Sequence, residues 1–102
     1  MKYYLKGFMR ETTVDENGIH IAWLHGPMKG TEKTIPFSQI ASVVVKKPTF
    51  TAGGFIQFQQ IGNTVQIKTP YQAANDENTV DFGQKGYDIA LEIKAAVEGK
   101  LG

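Results

Sequence analysis

The chain lacks cysteine altogether, and it also lacks any long apolar run. Without cysteine there are no disulfides and no thiolate metal ligands, which is typical of a protein in a reducing compartment. No stretch approaches the roughly 18 apolar residues of a membrane-spanning helix. No apolar run of about 7 to 15 residues follows the first lysines, as it would in a secretory signal. We therefore expect a cytoplasmic protein.

An excess of charge of one sign is also lacking. Lysine and arginine together number 11 and the acidic residues 10, a formal net charge of +1, with Arg10 the single arginine. This balance gives no global attraction to nucleic acid or to anionic membranes, so we expect no nucleic-acid partner, and weak binding to an anionic membrane surface would need a local patch. A length of 102 residues with 41% hydrophobic residues predicts one globular domain over residues 1–102.

What is present is alternation of apolar and polar residues in short segments between residues 2 and 82. With frequent turn residues and no βαβ unit, this pattern predicts seven or eight antiparallel strands. We place strands at Tyr3–Met9, Thr12–Asp15, Ile19–His25, Glu32–Ile40 with a break at Pro36, Ala41–Lys47, Phe55–Gln60, Thr64–Thr69 and Glu77–Phe82. The pair Asn17-Gly18 predicts a type I′ hairpin turn, because both central residues of that turn need positive φ.

The pattern changes at the end of the chain. Ile89, Ile93, Ala96 and Val97 recur at spacings of three and four, which predicts an amphipathic helix over residues 86–101 with its apolar stripe on the sheets. Other local expectations are a polar loop over Pro70–Asn75, a helical turn capped by Ser38, and a covered position for the run Val43–Val45. The fold class expected is mainly β: a barrel or sandwich capped by a C-terminal α-helix.

Three strings in this order resemble one known family: Glu32-Lys33-Thr34-Ile35-Pro36, then Gly54-Phe55-Ile56-Gln57-Phe58, then Asp76-Glu77-Asn78-Thr79-Val80. They resemble a bacterial family of domains of unknown function, and the resemblance covers about residues 15 to 98. Members of that family resemble pleckstrin-homology-like barrels and often occur beside short helical segments called SHOCT. The resemblance implies a pleckstrin-homology-like barrel or sandwich of seven to eight strands, and it implies no catalytic residues.

The residues themselves also contain no arrangement that predicts chemistry. His20 and His25 are five apart on a predicted strand, so they project to opposite faces and cannot bind one zinc ion. Ser38 and Ser42 have no nucleophile elbow around them. We therefore expect no catalytic residues, no cofactor and no metal, and a protein that is not an enzyme.

Two further strings are predicted to be turns. Asp76-Glu77-Asn78 resembles an acidic cation-binding tip, but such residues before a strand usually bond their own backbone. Thr51-Ala52-Gly53-Gly54 could cradle a phosphate, but no lysine-serine pair and no following helix complete a P-loop. We expect a backbone turn at each of the two positions.

The favoured functional hypothesis is a non-enzymatic interaction module. The domain would offer a sheet edge or a groove beside the helix to an unknown protein partner or to a second copy of itself. Met28, Phe50 and Tyr71 lie in predicted loops and are the candidates for an exposed apolar interaction patch.

The alternative hypothesis is binding of a membrane surface or an anionic ligand through loop lysines. Clustered cations compensate clustered anionic groups, and the candidate patch consists of Lys29, Lys33, Lys46 and Lys47. Lys2, Lys6 and Arg10 are spaced by four along the first predicted strand, which would place them on a common face if Gly7 does not shift the register.

Overall fold

The computed structural model describes residues 2–62 and 66–101, which form seven strands and two α-helices. The elements are β1 (Tyr3–Lys6), β2 (Arg10–Asp15), β3 (Gly18–Trp23), β4 (Glu32–Ile35), β5 (Ile40–Lys46), β6 (Gly54–Gln60), α1 (Pro70–Asn75), β7 (Thr79–Phe82) and α2 (Tyr87–Leu101). Single 3₁₀ turns occur at Phe37–Gln39 and Gln84–Gly86.

The strands form two antiparallel sheets, with orders β1-β2-β3-β4 and β5-β6-β7. This confirms the mainly β, antiparallel class with a C-terminal helix. The described strands do not form a closed barrel, because no strand of one sheet pairs with a strand of the other.

The first hairpin forms where the sequence predicts it, but its turn differs. Asp15 pairs with Gly18, so the turn residues are Glu16 and Asn17 rather than Asn17 and Gly18. Among the described residues only glycines have positive φ, and Gly18 has φ 134° at the start of β3. The prediction of a type I′ turn at Asn17-Gly18 is therefore wrong. Asn17 N donates to Asp15 Oδ1 at 2.9 Å, a local bond that closes this turn instead.

The first strand is shorter than predicted, because the chain bends sharply at Gly7. A Cβ there would lie 2.2 Å from the Asp81 carbonyl oxygen, and Gly7 N donates to the Arg10 carbonyl at 2.9 Å. The bend ends β1 at Lys6, and Arg10 begins β2. A common face for Lys2, Lys6 and Arg10 required that Gly7 leave the strand register unchanged, and this condition is not met.

The core lies between the two sheets and α2. Side chains that point inward from the strands are almost fully buried, among them Ile21, Ile56, Phe58, Val80 and Phe82. The helix adds Ala90, Ile93 and Val97, each 0% exposed, which confirms the predicted apolar stripe. Helix α2 packs against β5, β1 and β6. On its edge, Lys94 Nζ donates to the Val43 carbonyl at 3.0 Å.

The segment 66–76 lies across the outer face of the second sheet. Residues 64 and 65 of the predicted strand Thr64–Thr69 lie outside the described residues, and residues 66–69 form no strand. The predicted loop Pro70–Asn75 is instead helix α1, because Thr69 and Gln72 form a capping box and Pro70 occupies the first turn. Ala73 of α1 is 3% exposed.

This cover buries residues on the outer face of the sheet. Phe55 and Gln57 of β6 and Thr79 of β7 are all buried, although they lie on the face opposite to the core. Of the valine run predicted to be largely covered, Val43 is buried and Val45 is partly buried, whereas Val44, on the outer face of the edge strand β5, is 38% exposed. The 3₁₀ turn before β5 confirms the predicted helical turn, but Pro36, not Ser38, holds its N-cap position.

Candidate functional site

A groove runs between the outer face of the second sheet and the segment 66–76. Across that face the strand register places Lys46 of β5, Phe55 of β6 and Asp81 of β7 in one row. Segment 66–76 contributes Lys68 and Ala73, which close a cavity of about 100 Å³ over this row. The groove therefore has an aromatic floor and a lysine on each side.

The groove contains two lysines, Lys46 and Lys68. Lys46 is exposed at the end of β5, and Lys68 is exposed just before α1. Among the described residues neither ammonium group has an ion pair. The remaining charge in the cavity lining is the Asp81 carboxylate.

Arg10 connects the first sheet to the elements that carry the groove. It is 6% exposed, and Nη1 donates to the Thr79 carbonyl at 2.9 Å while Nη2 donates to the Ala74 carbonyl at 2.8 Å. Its guanidinium also lies 5.5 Å from the centre of the Trp23 ring. Burial lowers the pKa of Arg10, and the Asp81 carboxylate is the nearest compensating charge. Arg10 thus fixes α1 and β7 relative to β2.

A second hollow of about 260 Å³ adjoins the first and shares Phe55 and Lys68 with it. Val44 and Ile67 supply apolar walls, and glutamines from β6 supply polar ones. Ser42 Oγ donates to the Gln59 side chain, and Gln59 Nε2 lies 3.4 Å from the Gln57 Oε1. The groove is therefore longer than the first cavity, and its far end is mixed in polarity.

At its other end the groove meets an exposed aromatic surface, which we call the apex: Phe8, Pro48 and Phe50, on loops 7–9 and 47–53. Phe8 is 57% exposed and Phe50 is fully exposed, and together with Pro48 they line a shallow hollow of about 280 Å³. Phe8 N donates to the Asp81 carbonyl at 3.1 Å, which anchors the first loop beside β7. Loops 7–9, 47–53 and 83–86 carry Lys47 and Lys85 and no carboxylate.

The predicted apolar patch is divided by the structure. Phe50 lies at the apex, whereas Met28, 48% exposed, lies on the loop between β3 and β4. That loop adjoins loop 7–9, because Leu24 N donates to the Met9 carbonyl at 2.9 Å. The side chain of Tyr71 lies outside the described part of the structure.

The predicted lysine patch is distributed over different surfaces. Lys46 lies in the groove, and Lys47 Nζ is 5.8 Å from the centre of the Tyr87 ring beside the apex. Lys29 is exposed on the β3–β4 loop. Lys33 pairs with Glu77 at 2.8 Å, which lowers the pKa of that carboxyl group.

Phe8 and Lys68 are site residues that sequence reasoning missed. Both were assigned to strands, Phe8 to the extension of β1 and Lys68 to a strand that residues 66–69 do not form. Gly7 was the available signal for Phe8, since glycine inside a strand pattern marks a bend or a close backbone approach. For Lys68 the signal was the capping-box pair Thr69 and Gln72 directly after it.

The histidines lie apart from the groove. His20 is on the outer face of β3, with Nδ1 2.9 Å from Thr34 Oγ1 and Nε2 3.0 Å from Asp15 Oδ1. The hydrogen bond from His20 is the main reason why the pKa of Asp15 is lowered. His25 lies beyond the end of β3, which stops at Trp23. Within residues 2–62 and 66–101 no three metal-ligating side chains cluster in a way that could hold an ion.

Asp76 forms the local bonds expected of a turn. Its carbonyl accepts from Thr79 N at 3.1 Å, and its carboxylate accepts from the Thr79 hydroxyl. The other turn lies two residues earlier than predicted: Thr49 N donates to the Ala52 carbonyl at 2.8 Å, which closes a turn over residues 49–52, and Gly54 already belongs to β6. Neither of the helices in the described ranges has the length and apolar character needed to cross a bilayer.

Comparison with known proteins yields one match. The family described as "Domain of unknown function (DUF4429)" matches residues 12–98. Neither a curated protein nor a solved structure matches the chain.

Proposed function

We propose, from the premise that this chain belongs to the DUF4429 family of domains of unknown function, that it is a non-enzymatic interaction module. Its contact surface would be the apex, and its occupant a protein partner or a second copy of the chain. The observation that carries the proposal is the exposure of two aromatic rings, Phe8 and Phe50, over one shallow hollow.

Exposed rings of this kind contribute little to folding but much to association. Phe50 projects fully into solvent from its loop. Covering one such ring is worth roughly 1.5–3 kcal/mol of apolar burial. The loop that carries Phe50 is held by its own hydrogen bonds, which join Thr49 and Ala52. A partner would therefore meet a preformed surface and pay little to order it.

A pleckstrin-homology-like fold, a bacterial origin and a cytoplasmic setting belong to the same proposal. Contacts between the sheets support the first of these. The loop after β1 contacts β7 at Asp81, Arg10 contacts it at Thr79, and Lys33 contacts Glu77, two residues before β7. Three segments of the first sheet therefore contact successive positions along β7 and the residues before it. This arrangement is typical of two sheets that pack face to face with their strands at an angle. Helix α2 then closes one side of the core.

The test is photo-crosslinking in the cells that make the protein. A benzoylphenylalanine at position 50 keeps an aromatic ring at the apex, and the same group at position 61 is the matched control, since Ile61 is 67% exposed outside the apex. We expect a discrete protein adduct or a crosslinked dimer from position 50, lost when Phe8 is changed to serine, and none from position 61. Equal labelling from both positions, or none from position 50, would refute the proposal.

A second candidate is an anionic membrane surface, favoured by the presence of Lys47 and Lys85 and the absence of carboxylates in the three loops around the apex. Co-sedimentation with phosphatidylglycerol vesicles should fall with added salt and should be abolished by Lys47→Glu with Lys85→Glu. Lys2→Glu with Lys100→Glu, two exposed lysines outside the apex, is the charge-matched control. Binding that survives the double reversal, or no binding to the vesicles, would exclude this candidate.

A further inference from the structure

We propose that the groove on the outer face of the second sheet binds a small organic acid. The carboxylate would lie between Lys46 and Lys68, and its hydrocarbon body would lie on Phe55. This site is separate from the docking surface of the apex, and the inference does not depend on the proposed function.

The charge of the groove is the first argument for an anionic ligand. Lys46 and Lys68 reach the same cavity from two separate parts of the chain, and no carboxylate among the described residues pairs with either of them. Asp81 is the one acid among the described residues that line the cavity, so two lysines face a single carboxylate. The local balance is therefore positive, and the groove is complementary to a monoanion.

The shape of the groove carries the second step. A cavity of about 100 Å³ is smaller than the 300–1,000 Å³ typical of drug-sized ligand sites, so it accommodates a compact head group. The adjoining hollow of about 260 Å³ continues past Phe55 to Val44 and Ile67, which suits a short aliphatic or aromatic body. The ligand class is thus an acid with one anionic end and one apolar end.

The preformed floor carries the third step. Phe55 is 8% exposed and is held in a central strand between β5 and β7. Opposite it, Ala73 is held by α1, which the Thr69 capping box and the Arg10 bond to Ala74 both position. Both walls are fixed before a ligand arrives, so little conformational entropy opposes binding.

The experiment is an amide-detected NMR titration of the whole chain with sodium hexanoate. Hexan-1-ol, which has the same body without the charge, and acetate, which has the charge without the body, are the matched ligands. We expect saturable shifts with hexanoate at Gly54, Phe55 and Ala73, and weaker shifts with either of the other two.

Two lysine variants then test whether the carboxylate of hexanoate binds at Lys46 and Lys68. Lys46→Met and Lys68→Met keep the aliphatic stems, and each should weaken hexanoate binding about tenfold, because a hydrogen bond to a charged group is lost. Lys100→Met removes an exposed lysine outside the groove and should leave the affinity unchanged. Equal affinity for hexanol, shifts confined to residues outside the groove, or unchanged affinity in both groove variants would overturn the inference.

Discussion

Arg10 offers the sharpest test of how the molecule is held together. Replacement by alanine removes both charge-assisted bonds, from Nη1 to Thr79 and from Nη2 to Ala74, and leaves two carbonyl groups and the Asp81 carboxylate without their cation. A hydrogen bond to a charged group contributes roughly 1.5–3 kcal/mol, and breaking a buried charged network typically costs about 3–5 kcal/mol. We therefore expect Arg10→Ala to lower the free energy of unfolding by about 3–5 kcal/mol.

That loss is large beside the roughly 5–15 kcal/mol that stabilises a domain. Arg10→Lys keeps a cation near Asp81 but cannot reproduce the planar two-bond geometry, so it should cost about half as much as alanine. Urea unfolding followed by far-UV circular dichroism and by the fluorescence of Trp23, the single tryptophan, measures both variants. Lys6→Ala, an exposed neighbour, is the control and should change stability by less than about 0.5 kcal/mol. The reasoning fails if Arg10→Ala costs less than about 1 kcal/mol, or if lysine proves worse than alanine.

The other predictions concern the core, the bend and one acid. Ile93→Ala should cost about 2–5 kcal/mol in denaturant unfolding, because Ile93 is fully buried; a loss below 1 kcal/mol would mean that the helix does not close the core. Gly7→Ala should prevent a stable fold in thermal scans, since its Cβ would lie 2.2 Å from the Asp81 carbonyl oxygen; a normal melting temperature would contradict the close approach. Carboxyl-carbon NMR titration should find the pKa of Asp15 below its ordinary value, and His20→Ala should raise it. The stability from this lowered pKa is present above the ordinary aspartate pKa and is lost as pH falls through the lowered one, so a pKa unaffected by His20→Ala would refute the assignment.

The burial of much of the interior could be predicted, because it follows from the regular spacing of side chains along strands and helices. Ile56 and Phe58 of β6 face the core at a spacing of two, and Ile93 and Val97 of α2 face it at a spacing of four. Each side chain is buried by the regular geometry of its own element, so the amino-acid pattern is a direct record of that burial.

The groove could not be predicted, because it forms only where segment 66–76 folds back over the outer face of the second sheet. Phe55 and Gln57 are buried because segment 66–76 folds back over them. The alternation of residues in β6 gives no sign of a cover that another part of the chain supplies. Arg10 illustrates the same limit: an arginine is read as exposed, and only the approach of β7 and α1 supplies the two carbonyl groups that allow its burial. The sequence places Lys46 as a cation at a strand end, but the approach of Lys68 to the same cavity becomes visible only in three dimensions.

The bond from Lys94 to the Val43 carbonyl has a consequence for how copies of the chain can meet. Strand β5 lies at an edge of its sheet, and an open edge is a template onto which a foreign strand can add, the first step toward fibrous aggregation. The Lys94 ammonium group is hydrogen-bonded to one backbone carbonyl of this edge strand, and its helix α2 lies beside the strand. Both obstruct the addition of another strand. Neutralisation of this single lysine would remove the obstruction and leave the rest of the interior intact.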